Sequence, residues 1–67
     1  MQGTITKYFT DRAFGFIQPD GGTDSVFFHK TSLPRDSEEP TVNAIVEFVV
    51  ETDPRSGRLR ASSVRLI

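Results

Sequence analysis

Where this chain is apolar, it is apolar at every second residue, in runs too short for anything but strands. Thr4 to Phe9, Phe14 to Gln18, Ser25 to His29, Ala44 to Thr52 and Leu59 to Leu66 each carry this pattern. A spacing of two puts alternate side chains on opposite faces of a sheet, whereas an amphipathic helix needs a spacing of three and four. The fourth segment is the plainest, with Val46, Phe48 and Val50 alternating against Glu47, Val49 and Glu51. Pro19-Asp20-Gly21-Gly22 and Asp53-Pro54-Arg55-Ser56-Gly57 are turn sequences, and Thr31 to Thr41, with Pro34, Pro40 and an acidic run, is a long connecting loop. No helix of useful length is expected. The fold class is all-β.

Size then selects the architecture. At 67 residues the chain is expected to form one domain over 1–67, near the length at which only about 60% of the unfolded surface can be buried. It has no cysteine, so neither a disulfide nor a thiolate zinc site supports the core, and a reducing, cytoplasmic setting is expected. No apolar run approaches the roughly 18 residues that span a bilayer. Five short strands cannot make a generous sandwich, but they can close into a small antiparallel barrel that leaves no free edge. The expected core is Ile5, Tyr8, Ile17, Val26, Phe28, Leu33, Val46, Phe48, Val50, Val64 and Leu66, with Ala61 also turned inward.

Alternation also says which aromatic rings the core does not use. In the second segment Phe14 and Phe16 share a face, and Ile17, on the other face, is the natural core residue. In the third, Val26 and Phe28 face one way, Phe27 and His29 the other. If the aliphatic set is inside, three of six phenylalanines and the only histidine face water, a patch that calls for a partner. The inverted assignment would expose Ile17, Val26 and Phe28 instead.

Charge is segregated beneath a formal net charge of -1. Residues 36 to 54 hold six acids and no base; residues 55 to 67 hold Arg55, Arg58, Arg60 and Arg65 and no acid. Because fields act within a Debye length of about 8–10 Å, a basic face can coexist with an acidic back. Lys7, Arg12 and Lys30 flank the proposed aromatic patch in sequence, and Arg58 is its expected basic neighbour from the last turn. Aromatic rings beside cations suit single-stranded nucleic acid, whose bases stack and whose phosphates seek Lys and Arg.

At these residues a resemblance becomes specific. Arg12-Ala13-Phe14-Gly15-Phe16-Ile17 resembles the first ribonucleoprotein motif of cold-shock domains, and Val26-Phe27-Phe28-His29 resembles the second. Gly3-Thr4-Ile5, Val46-Glu47-Phe48 and Ala61-Ser62-Ser63-Val64 resemble the family's first, fourth and fifth strands, so the likeness covers nearly the whole chain. It implies a five-stranded antiparallel barrel of the OB type that binds single-stranded RNA and DNA with low sequence specificity, often as an RNA chaperone. It also implies Phe14, Phe16, Phe27 and His29 as base-stacking positions and Arg12 as the family's basic residue.

The departures from the family pattern are equally informative. In a gapless register the exposed first-strand tryptophan of the family falls on Lys7 and the following core aromatic on Tyr8; a shift of one residue would put Tyr8 outside, so Tyr8 is grouped with Lys7 and the outward rings as a candidate binding residue. The aromatic after the histidine is replaced by Lys30, and the long loop lacks aromatics, so the expected footprint is short. The glycine before Phe14 is Ala13, acceptable only where the turn does not require a positive φ.

Other functions find less support in the residues. No Ser-His-Asp arrangement, paired carboxylates or metal-ligand cluster accompanies His29, so no catalytic site, metal or cofactor is expected. Gly21-Gly22 is followed by Thr23-Asp24, not by the Lys-Ser of a phosphate loop. The alternative reading is a small barrel that binds a protein partner through the same aromatic patch. No membrane or small-molecule partner is expected. The expected state is a monomer, with strand exchange through residues 31 to 41 as the route to a dimer.

Overall fold

The computed structural model describes residues 1–22, 24–36 and 39–67. Five strands, β1 (Gln2–Phe9), β2 (Phe14–Pro19), β3 (Val26–His29), β4 (Ile45–Thr52) and β5 (Leu59–Leu66), close into a barrel in the order β1-β2-β3-β5-β4. A single 3₁₀ turn, Lys30–Ser32, follows β3 at the start of the long loop. The acidic run at residues 36 to 39 lies partly outside the described residues, since Glu38 is not among them. Among the described residues no helix is long and apolar enough to cross a membrane.

Four of the five ladders are antiparallel; β3 and β5 pair in parallel, Phe27 with Arg60 and Phe28 with Ala61. This amends the wholly antiparallel expectation for a topological reason. Strand directions cannot alternate all the way round a ring with an odd number of members, so closure of five strands requires one parallel contact.

The core is aliphatic and aromatic on the expected faces. Ile5, Ile17, Val26, Phe28, Leu33, Val46, Phe48, Ala61 and Val64 are buried, with Tyr8, Ala44, Val50 and Leu66 half-buried against them. At about 25 cal/mol per Å² of apolar surface, such side chains each contribute roughly 1.5–3 kcal/mol. Gly15 is a packing requirement. A Cβ there would run into the Lys7 carbonyl oxygen and come within 2.9 Å of the Phe28 ring. The bare backbone at Gly15 is what lets Phe28 fill the barrel directly beneath the β2 surface.

Two local irregularities shape β1 and its turn. The register of β1 on β2 shifts between Ile5 and Lys7, a bulge at Thr6, so that Ile5 opposes Ile17 while Lys7 opposes Phe16. With one extra residue in the strand, Ile5 and Tyr8 both turn inward although they are three apart. The β1–β2 turn is closed by Arg12 and Ala13 N–H groups donating to the Phe9 carbonyl at 3.1 and 2.8 Å, and Ala13 takes a φ of 59°. The turn therefore does require the left-handed conformation that the sequence left as a condition on Ala13. For a residue with a Cβ this costs about 1–2 kcal/mol.

Candidate functional site

The outer face of β2 and β3 follows from their register. Phe14 opposes His29 and Phe16 opposes Phe27, and directly opposed residues in an antiparallel pair project to the same side. Val26 and Phe28 are buried while Phe27 and His29 are exposed, so the aliphatic side is the core side and the inverted assignment is excluded. The rings pack on one another: Phe14 lies 5.4 Å from Phe27 and 6.1 Å from Phe16, and Phe16 lies 6.0 Å from Phe27, in tilted or edge-on arrangements. These are the geometries that aromatic quadrupoles favour. The cluster is held in place by its own contacts before any ligand arrives.

One member was missing from the sequence reading. Phe9 opposes Phe14 across β1 and β2, is 41% exposed, and its ring centroid lies 5.1 Å from that of Phe14. The signal was present in β1, because Lys7 and Phe9 are two apart and share a face.

The cations take up distinct positions. Lys7 is exposed and sits across from Phe16, on the platform side. Arg12 is exposed in the β1–β2 turn. Lys30 is in the 3₁₀ turn, where its Nζ lies 4.0 Å from a Glu39 carboxylate oxygen and its chain borders a separate cavity of about 410 Å³ with Ala13 and Arg35. Arg60, opposed to Phe27 through the parallel ladder, and Arg58, in the β4–β5 turn, border an open cleft of about 840 Å³ against Phe14, Phe16 and Phe27. Arg60, Leu59 and Asp24, all on this cleft, were not among the expected site residues; the β3–β5 pairing that brings in Leu59 and Arg60 is non-local and has no short-range signature, whereas Asp24 lies two residues before β3.

Tyr8 resolves to the core side. Its ring stacks on Phe28 at 6.0 Å and 12°, and its hydroxyl is buried with no hydrogen-bond partner among the described residues. Burial, with a smaller contribution from the Glu39 carboxylate, raises the Tyr8 pKa. Tyr8 therefore does not join the outward rings with which it was grouped. Lys7 holds the platform position in β1.

His29 is oriented by its own neighbourhood. The Thr31 N–H donates to Nδ1 at 3.2 Å, and the Thr31 hydroxyl lies 3.0 Å from the same nitrogen. With Nδ1 accepting, a neutral ring carries its proton on Nε2, which becomes the donor available to a ligand. Among the described residues no group of three His, Cys, Asp or Glu side chains is placed to hold a metal.

The sequence profile of the 'Cold-shock' DNA-binding domain matches residues 1–67. Cold shock protein CspA of Rhizobium meliloti is 33% identical over 64 residues, covering 94% of this chain and 93% of that protein. Cold shock-like protein CspG of Escherichia coli is 39% identical over 57 residues, covering 82% of this chain and 80% of its own length. Cold shock domain-containing protein 4 of Arabidopsis thaliana is 38% identical over 64 residues, but this chain spans 31% of its length. Among solved structures, Drosophila Unr CSD456 matches 98% of this chain with a TM-score of 0.81 and 32% identity, and the chain spans 26% of it.

Proposed function

The chain belongs to the cold-shock domain family, a family of nucleic-acid-binding OB barrels, and from that premise we propose that it binds single-stranded RNA and DNA with low overall sequence specificity. The observation that supports this reading is the four-ring cluster of Phe9, Phe14, Phe16 and Phe27 on an outer sheet face, with Lys7 and Arg60 beside it. Exposed rings are costly in water and gain about 1–3 kcal/mol per stacked base. His29 adds a ring and an Nε2 donor. Lys7, Arg12, Lys30 and Arg58 supply the phosphate contacts. Two to four such contacts give a log–log salt slope of about -1.4 to -2.8 on a single strand. Stacking dominates and electrostatics assists.

Duplex is refused because paired, stacked bases present no free π face to the rings. A monomer of residues 1–67 suffices, since the whole platform comes from one chain. Binding of this kind suits an RNA chaperone or a modulator of transcription or translation acting in the cytoplasm. The function is recognition, without catalysis.

Titrating a short pyrimidine strand and a hairpin of matched length at two salt concentrations tests the proposal. The expected result is binding of the strand that weakens with salt, and no binding of the hairpin stem. Equal affinity for both, or no affinity for either, overturns it, and the second outcome favours a protein partner on the same rings.

A further inference from the structure

The cleft between the aromatic platform and the β4–β5 turn has a wall chemistry that nonselective stacking does not require. Phe16, Phe27 and Leu59 make it apolar, Arg58 and Arg60 make it cationic, and Asp24, two residues before β3, adds a carboxylate. Asp53 also borders it, but one of its oxygens already accepts the Arg55 N–H at 2.8 Å and so serves the turn. Asp24 is exposed and free of that duty. The ion pairs formed among the described residues, Lys30 with Glu39 and Arg65 with Glu47, do not involve Arg58, Arg60 or Asp24.

A carboxylate beside the path of a polyanion repels phosphate. Whatever faces Asp24 must therefore be a base edge that offers donors. Among the four bases only guanine places two N–H groups side by side, N1–H and N2–H, in the geometry that both oxygens of one carboxylate accept. On its adjacent edge guanine offers O6 and N7, the pair that an arginine fork reads in bidentate fashion. Arg60 is placed on this side by the parallel ladder, which aligns it with Phe27, and it borders the cleft. Cytosine and adenine each offer an amino donor beside a ring acceptor, which one carboxylate cannot satisfy. Uracil and thymine offer one donor between two carbonyls, and those carbonyls oppose the carboxylate.

We propose that this cleft is a guanine subsite, in which Asp24 accepts from N1–H and N2–H, Arg60 donates to O6 and N7, and Phe27 carries the face of the base. The inference rests on the single-strand reading and deepens it: a tolerant platform with one selective position. Arg58, in the turn, remains a phosphate contact.

The test is a set of short strands, all thymidine or with one guanine moved along it, and the same strands with inosine or 7-deazaguanine at the best position. One guanine is expected to tighten binding by at least about fivefold, the lower end for a bidentate base contact. Inosine, which lacks the N2 amino group, and 7-deazaguanine, which lacks N7, should each forfeit most of that gain. Asp24→Asn should abolish the preference while leaving the affinity for all-thymidine strands at the wild-type value or above, and Arg60→Gln should abolish the sensitivity to N7. Unchanged far-UV circular dichroism of both variants confirms that they fold. Binding of thymidine strands with no gain from guanine at any position overturns the subsite and leaves the single-strand reading intact. A guanine preference that survives Asp24→Asn overturns the assignment to this cleft. No binding of any strand removes the reading on which the subsite stands.

Discussion

The outward faces of β2–β3 and of β4 are made by the same alternation in one barrel, yet they carry opposite chemistry. On β2–β3 the outward residues are Phe14, Phe16, Phe27 and His29. On β4 they are Ile45, Glu47, Val49 and Glu51, with Glu47 held at 3.0 Å by Arg65 of β5. Both faces expose apolar surface, and Val49 at 56% is more exposed than Phe27 at 36%. Exposure alone therefore does not make a site. What separates the two is that the β2–β3 rings form a contiguous cluster with cations on its rim, whereas on β4 aliphatic residues alternate with carboxylates that repel phosphate.

Removing one residue from each face should separate them most sharply. Phe27→Ala is expected to weaken single-strand binding by about 1–3 kcal/mol, with about 0.5–1.5 kcal/mol of stability lost with the ring contacts. Val49→Ala should leave affinity unchanged. Fluorescence anisotropy of a labelled oligonucleotide measures both, and equal effects would erase the distinction between the faces.

Charge reversal gives the next largest difference. Lys7→Glu should lower affinity about fivefold at roughly 0.1 M salt and flatten the salt slope by about 0.7. Arg65→Glu breaks an exposed ion pair worth about 0–1 kcal/mol and should leave both quantities as they were. A salt series on the two variants decides whether the phosphate path runs past β1 or past β5.

Backbone strain is also unevenly placed. Ala13, beside the aromatic face, has a φ of 59°, while Asn43, ahead of β4, has a φ of 77°. Asparagine tolerates this region; alanine does not. Ala13→Gly should raise stability by about 0.5–1 kcal/mol, the relief of strain less the added freedom of the unfolded chain, whereas Asn43→Gly should change it by a few tenths. Urea denaturation of the pair checks this, and destabilisation by Ala13→Gly would mean that the turn holds another conformation in solution.

Tyr8 gives the smallest expected effect. Tyr8→Phe deletes a buried hydroxyl that lacks a partner among the described residues and should stabilise the barrel by up to about 1 kcal/mol, with affinity unchanged. Because the folded-state pKa of Tyr8 is raised, the unfolded chain ionises first, and stability should fall as pH rises past about 10. The Phe variant should lack that component. A loss of affinity in Tyr8→Phe would return Tyr8 to the platform.

These residues also show what can be read from a sequence of this kind. Strand segments, turns and the two faces of β2 and β3 were legible because each is a short-range pattern: alternation, Pro-Asp-Gly-Gly, Asp-Pro followed by Gly. That Ile5 and Tyr8 both face inward was expected from the family register, but the bulge at Thr6 that makes it possible was not, because simple alternation does not announce it. The parallel contact of β3 with β5, and with it the place of Arg60, follows only once closure is known. Ala13 stood out as a departure from the family's glycine, but whether it was strained depended on the turn geometry.

The most direct measurement is an NMR titration of the aromatic ring protons and β4 methyl groups with a short oligothymidine. Upfield ring-current shifts of Phe14, Phe16, Phe27 and His29, with Ile45 and Val49 methyls unmoved, are predicted, because stacked bases lie over the rings. Shifts confined to the β4 methyls, or none at any ring while the strand is bound, would contradict the account.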